Sequence, residues 1–303
     1  MRKEKIISQL AAELINLADE IVPRISPVSL KQAKYGKGDE EVFVLLLSDF
    51  QVGIKTSTYN TSVFEERFSR LTRNVLKVLA LHRRSHPVKK LVVFLLGDLV
   101  HNEEVARFLS IDELDVVVHE QVFQYAIPVL QGFFVEMLRN FEKVEVYCVR
   151  GNHGQFSKLH ATTTNIDDII YHFLRASFSR EKRIKFHIAE TFYQIAKVYR
   201  WKFLLVHGDT IRMHYQIPWY GITTRVMRWQ NSIEDFDFAC IGHFHSFSVL
   251  DWGGKTIVIN GTFLSDDDWS KQRLGLTSSV CQVLLGVHPK RGISFIRKIF
   301  LTK

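Results

Sequence analysis

Cysteine is scarce in this 303-residue sequence, and the little there is excludes two chemistries. Cys148, Cys240 and Cys281 are odd in number, far apart and set in apolar stretches. They fit neither a disulfide frame nor a zinc knuckle. They read as buried free thiols of a reducing compartment, so a cytoplasmic location is expected. Long apolar runs are also lacking: none approaches the roughly 18–20 residues of a membrane span, and no membrane partner is expected. The opening Met-Arg-Lys-Glu-Lys leads into an amphipathic, acidic stretch without a signal core or a small-residue cleavage site. Internal repeats, low-complexity tracts and coiled-coil or ATPase segments do not occur. An ATPase partner would therefore be a separate chain, and oligomeric state stays open.

What is present is 46% hydrophobic and 24% charged residues, the balance of a soluble globular protein. The net charge of +8 suits an anionic partner such as nucleic acid. The organising stretch runs from Leu91 to Asn102. Six apolar residues without alternation predict a strand buried on both faces, and the run stops at Gly97-Asp98. Val42 to Leu47 likewise runs into Ser48-Asp49-Phe50-Gln51, and Val144 to Val149 into Arg150-Gly151-Asn152-His153. Open α/β sheets place their ligands at the carboxyl ends of such strands. A lone aspartate there is most often a turn or cap residue. Three strands ending this way need another explanation.

Residues 5 to 22 show the apolar spacing of one helical face, from Ile6 to Ile21. Pro23 to Glu40 reads as a connector, so residues 1–40 are set apart from a domain over 41–303. A basic helix is predicted over about Val63 to Arg84, and a long helical region over Ile111 to Phe141, bent or broken near Pro128. A further helix is predicted over Ile166 to Ser179. Short strands then follow at Lys185–Ile188, Phe192–Tyr199, Trp201–Val206, Asp237–Ile241, Ser246–Leu250, Lys255–Ile259, Ser279–Leu285 and Ile293–Leu301. Their close spacing predicts antiparallel hairpins, with Gly253-Gly254 as a turn. The whole reads as one α/β domain of mixed strand direction.

The second half adds His207-Gly208-Asp209 and Gly242-His243-Phe244-His245, again at strand ends. Asp49, Gln51, Asp98, Asn152, His153, His207, His243 and His245 then form one set of carboxylate, amide and imidazole donors. That mix suits manganese first, with iron, zinc or magnesium as alternatives. Eight donors are too many for one ion and about right for two. Two such ions clamp a phosphate and hold a bridging hydroxide for in-line attack.

The order Asp-x-Gln, Gly-Asp, Gly-Asn-His, His-Gly-Asp and Gly-His-x-His resembles the calcineurin-like metallophosphoesterases. The resemblance implies two mixed β-sheets packed face to face and flanked by helices, a four-layer sandwich. It implies that Asp49, Gln51, Asp98 and His245 hold one metal, and Asp98, Asn152, His207 and His243 the other. His153 would donate a proton or hydrogen bond to the leaving oxygen. Three positions depart from the family pattern. Gln51 stands in place of a histidine, Gly154 in place of an acidic residue that orients the motif histidine, and His101 in place of the last aspartate of Gly-Asp-x-x-Asp.

Arg212 to Trp229 combines Arg212, Arg225 and Arg228 with Tyr215, Trp219, Tyr220 and Trp229, residue types that stack bases and neutralise phosphates. An amphipathic helix with its aromatics turned inward would show the same pattern. Arg212, Arg225, Asn260 and Arg273 are the candidate substrate contacts. Together these features resemble SbcD-type and related phage-encoded DNA repair exonucleases, which implies a phosphodiesterase acting on DNA. The rivals are a phosphoesterase for a nucleotide, a cyclic nucleotide, a sugar-nucleotide lipid precursor or a phosphoprotein, and a silent binding subunit that has lost its chemistry.

Overall fold

The computed structural model describes residues 13, 22–102, 114–156, 165–214, 217–265 and 279–302. Eleven strands among them form two sheets. The first has the order β11-β10-β1-β2-β3-β4, with β1 at Val42–Leu47, β2 at Lys90–Leu95, β3 at Lys143–Cys148, β4 at Ile184–Ile188, β10 at Cys281–His288 and β11 at Gly292–Phe300. The second has the order β5-β6-β7-β9-β8, with β5 at Tyr193–Val198, β6 at Trp201–Val206, β7 at Phe238–Ile241, β8 at Ser248–Trp252 and β9 at Lys255–Ile259.

The pleat of β1 explains the layering. Val42, Val44 and Leu46 point into a core shared with Phe203, Leu205, Cys240 and Val258 of the second sheet. Phe43, Leu45 and Leu47 point the other way, into a core shared with the helices. Side chains alternate along a strand, so an unbroken apolar run is what a strand between two cores requires. On the outer side of the first sheet lie α1 (Thr61–His82), α2 (Ile127–Asn140) and α3 (Ile166–Ser177). Helix α4 (Pro218–Ser232) covers the second sheet through Ile222, Val226 and Trp229. The result is the four-layer arrangement of helices, sheet, sheet and helix.

Local signals account for the helix ends. Asn60 caps α1 by accepting from Val63 N at 2.9 Å, and Phe64, Phe68, Leu71, Val75 and Leu79 face the core. The expected long helix over Ile111 to Phe141 is shorter among the described residues. Leu114 pairs with Ile54 in an isolated bridge, and helical structure begins at Val118. A π-helical stretch, Gln121–Ala126, leads into α2. Pro128 has no N–H for the turn before it, and the wider winding ends just ahead of that gap.

The expectation of hairpins throughout the second half needs correction. Strands β5–β6, β8–β9 and β10–β11 pair antiparallel. By contrast, β4 joins the first sheet parallel to β3, and β7 lies parallel to both β6 and β9. Helices α3 and α4 sit before β4 and β7, so both strands return as crossovers. Of the amino-terminal helix expected over residues 5 to 22, all but Glu13 and Val22 lie outside the described residues. The connector runs along the body, with Ile25 N donating to Ser177 O and Lys31 N to Arg139 O, both at 2.8 Å. All three cysteines are free and buried. Among the described residues no helix is long and apolar enough to cross a membrane.

Candidate metal centre

Strands β1, β2 and β3 are mutually parallel, and so are β6 and β7. Asp49, Asp98, Asn152, His207 and His243 all follow their carboxyl ends within a few residues. Six non-glycine residues among those described have left-handed backbone: Asp49 (φ 56°), Gln51 (45°), Asp98 (58°), His243 (67°), His245 (54°) and Tyr199 (55°). Five of the six are candidate ligands. Such backbone costs on the order of 1–3 kcal/mol per residue and gathers at functional sites.

The rim joins these residues into one cluster. One donor atom each from Asp98, His207 and His243 lies within 4.8 Å of the others. Asp98 Oδ2 is 3.0 Å from His207 Nε2 and 3.8 Å from His153 Nε2. Asp98 Oδ1 accepts from His153 N at 2.7 Å. Beside them, Asp49 Oδ1 is 3.3 Å from His245 Nε2, and the Gln51 amide nitrogen is 3.2 Å from the same imidazole nitrogen. Both Asp49 oxygens accept from His243 N at 3.1 Å, and Ser48 Oγ donates to Oδ2. Asn152 Oδ1 lies 3.0 Å from His207 Nε2.

The charges of the cluster ask for a cation. Asp98 is fully buried, and the one cation its Oδ2 faces at hydrogen-bonding distance is the His207 imidazole, 3.0 Å away. Burial alone would raise its carboxyl, but His207 and His153 hold it well below the usual carboxylate range. Burial opposes charge on His207 as well. The Asp98 carboxylate overrides it and pushes this imidazole up to about 10. A proton thus sits where a buried carboxylate needs positive charge. His207 Nδ1 donates to Leu96 O at 2.7 Å, which turns Nε2 toward Asp98 and Asn152, as a ligating histidine requires. His243 is driven down to about 3 by burial and by His207, so its imidazole is neutral. Carboxylate, amide oxygen and imidazole gathered around this buried anion fit divalent ions.

His153 stands at the mouth of the cluster, its Nδ1 2.9 Å from His101 Nδ1. His101 is buried and is itself fixed through its backbone, which exchanges hydrogen bonds with the Gln121 side chain at 3.0 Å each way. The sequence marked His101 as a departure from the family pattern without giving it a task. Here it occupies the orienting place that Gly154 leaves open. Burial and the neighbouring His153 hold His101 down at about 3, and burial lowers His153 too.

Two supports were not legible in the sequence. Asn165 and Asp167, at the start of α3, hydrogen-bond with the loops after β2 and β3. Burial, together with Asp98, raises Asp167 to about 7. Asn260 was expected at the substrate but lies fully buried. Its Nδ2 donates to Ser48 Oγ and Gln282 Oε1, each at 2.9 Å, and its Oδ1 accepts from Val283 N at 3.0 Å. Both ends of the amide are occupied, so it braces the Asp49 loop and offers no face to a substrate.

The Arg212–Trp229 segment divides in two. Trp229 packs into the core beneath α4, while Trp219 and Tyr220 at the start of that helix are 47% and 63% exposed. Arg212 and Arg228 are exposed. Arg225 donates to Thr210 O at 3.1 Å and lies 5.9 Å from the Trp229 ring centre, which ties α4 to the loop after His207. A side chain at Gly221 would strike the Arg212 carbonyl, so the first turn of α4 rests directly on that loop. Arg273 and Tyr215 lie outside the described residues.

With this rim and its two sheets in view, the class of protein is defined. The chain belongs to the calcineurin-like phosphoesterase family, whose model matches residues 44–270. No curated protein matches the sequence. Among solved structures it is similar to Vps29 of Entamoeba histolytica complexed with zinc, at 14% identity over 85% of this chain and 99% of that one, TM-score 0.40. It is similar to an archaeal phosphodiesterase at 10% identity over 84% and 98%, TM-score 0.39. A hypothetical protein of Pyrococcus horikoshii gives 12% identity over 86% and 89%, TM-score 0.46. The family is one of metal-dependent phosphoesterases, and the rim cluster offers donors for their ions.

Proposed function

We propose that this chain is a two-metal phosphodiesterase that cleaves DNA, in the manner of an SbcD-type exonuclease. The observation that supports this best is the fully buried Asp98 carboxylate of the first sheet set among the His207 and His243 imidazoles of the second at one rim. Asp49, Gln51, Asp98 and His245 would hold one ion, and Asp98, Asn152, His207 and His243 the other, with manganese the first choice. Divalent ions there offset phosphate charge and lower the pKa of a bound water.

The protein's own part begins with His153. The buried His101 Nε2 has no partner, and an unpaired N–H there costs more than an unpaired lone pair. His101 therefore keeps its proton on Nδ1 and donates to His153 Nδ1. His153 then carries its proton on Nε2, on the side facing Asp98, where it can serve the leaving oxygen. Exposed Trp219 and Tyr220, with Arg212 and Arg228, offer stacking faces and cationic charge beside the loop of His207. The net charge of +8 favours the same partner.

The test is hydrolysis with manganese of linear single- and double-stranded DNA, bis-p-nitrophenyl phosphate and p-nitrophenyl phosphate, with Asp98→Ala as control. DNA degradation that vanishes in the variant is expected. Turnover of the small esters alone would replace the nuclease reading with a small-substrate phosphoesterase.

A further inference from the structure

The loops carrying Asp98 and Asn152 lie back to back. A side chain at Gly97 (φ 87°) would run into the Gly151 backbone, and one at Gly151 would run into Asp98. One buried carboxylate from a third element gathers both loops. Asp167 Oδ2 accepts from Asp98 N at 3.1 Å and from Gly151 N at 2.8 Å, and Oδ1 accepts from Leu99 N at 3.1 Å. Asp167 N donates to Asn165 Oδ1 at 2.8 Å, and Asn165 Nδ2 donates to Gly151 O at 2.7 Å. Asn165 also occupies the space where a side chain on Gly154 would stand. The glycine that departs from the family pattern is thus required by this contact.

An acid in the first turn of a helix ordinarily serves its own helix's free amides. Asp167 instead takes three N–H groups from residues at or beside candidate ligands, 16 to 69 positions earlier in the chain. We propose that Asp167 is a positioning residue of the metal centre: it fixes the Asp98 loop against the Asn152 loop so that both face the same ions. The proposal rests on the metal-dependent reading above. Asparagine cannot take its place, because its amide N–H₂ would confront a backbone N–H on one side.

Manganese titration calorimetry on wild type, Asp167→Asn and Leu174→Ala tests this, together with amide hydrogen exchange of the metal-free proteins. Leu174 is buried two turns further along α3, so Leu174→Ala lowers the melting temperature while leaving manganese affinity at the wild-type value. Asp167→Asn is expected to weaken manganese binding by about 10–100-fold, as loss of an outer partner does. It should also speed exchange at Asp98, Leu99 and Gly151 together. Wild-type manganese affinity in Asp167→Asn, with only its melting temperature lowered, would overturn the proposal. If that variant does not fold, Asn165→Ala keeps the carboxylate but removes its anchor. A several-fold loss of affinity supports the proposal, and no loss overturns it. Wild-type protein that takes no manganese sinks the phosphoesterase reading, whereas metal-free exchange at the three amides still decides whether Asp167 holds the loops.

Discussion

The two sheets contribute different chemistry to one rim. Both carboxylates and the amide oxygen of Asn152 come from the first sheet, while the second supplies only the imidazoles of His207, His243 and His245. Asp49 and Asp98 are fully buried, whereas the His245 side chain is 28% exposed. A carboxylate can be buried charged only where hydrogen bonds and opposite charge surround it. The halves are joined by bonds across the seam, from His243 N to Asp49 and from His207 Nδ1 to Leu96 O. Fixed negative charge on one side and imidazole donors on the other suit a site that must accept and hold cations.

Substitutions on either side of the seam test this division. The largest effect is expected from Asp98→Ala, which removes the carboxylate shared by both halves. Phosphodiester hydrolysis should fall to background, and calorimetry should show manganese binding lost. His153→Ala removes the proposed hydrogen-bond donor to the leaving oxygen without touching a carboxylate. It should lower kcat by about 10²–10³-fold, the usual worth of one hydrogen-bond donor to a developing oxyanion, with metal still bound. His101→Ala acts only through His153 and should cost about 10–100-fold in kcat. His101→Asn, whose amide N–H₂ can still donate to His153 Nδ1, should recover part of it.

The second sheet's outer helix gives a smaller and more selective effect. Trp219→Ala should raise KM for single-stranded DNA roughly fivefold or more, since a stacked base is worth about 1–3 kcal/mol. Hydrolysis of bis-p-nitrophenyl phosphate should not change. The smallest effect concerns a first-sheet carboxylate away from the rim. Burial works against charge on Glu145, but hydrogen bonds from Lys143 and Lys90 hold its carboxyl below the usual range. Its contribution to stability is present above the unfolded pKa and is lost as pH falls through the lowered folded value. Denaturant titration of Glu145→Gln should therefore show a deficit of under about 1 kcal/mol at neutral pH, after solvent screening of the lysines. That deficit should vanish in acid.

Much of this was legible in the sequence for a physical reason. A strand between two cores must be apolar on both faces, so β1 and β2 could be read from their lack of alternation, and polar residues at their ends marked the rim. Strand partners were less legible. β4 is short and follows a helix, and nothing in Ile184–Ile188 distinguishes a parallel return from a hairpin arm. Asp167 was hidden because Asn165-x-Asp167 reads as an ordinary helix start, while its acceptors serve residues far back in the chain. Asn260 misled in the opposite sense: a polar residue at a strand end was saturated by Ser48, Gln282 and Val283.

The central claim is a pair of ions bound across the seam. Manganese titration of the metal-free protein, followed by electron paramagnetic resonance, tests it most directly. The account predicts two manganese ions per chain with the signal of a coupled pair, reduced to none in Asp98→Ala. A single uncoupled ion, or binding that survives in Asp98→Ala, would contradict it.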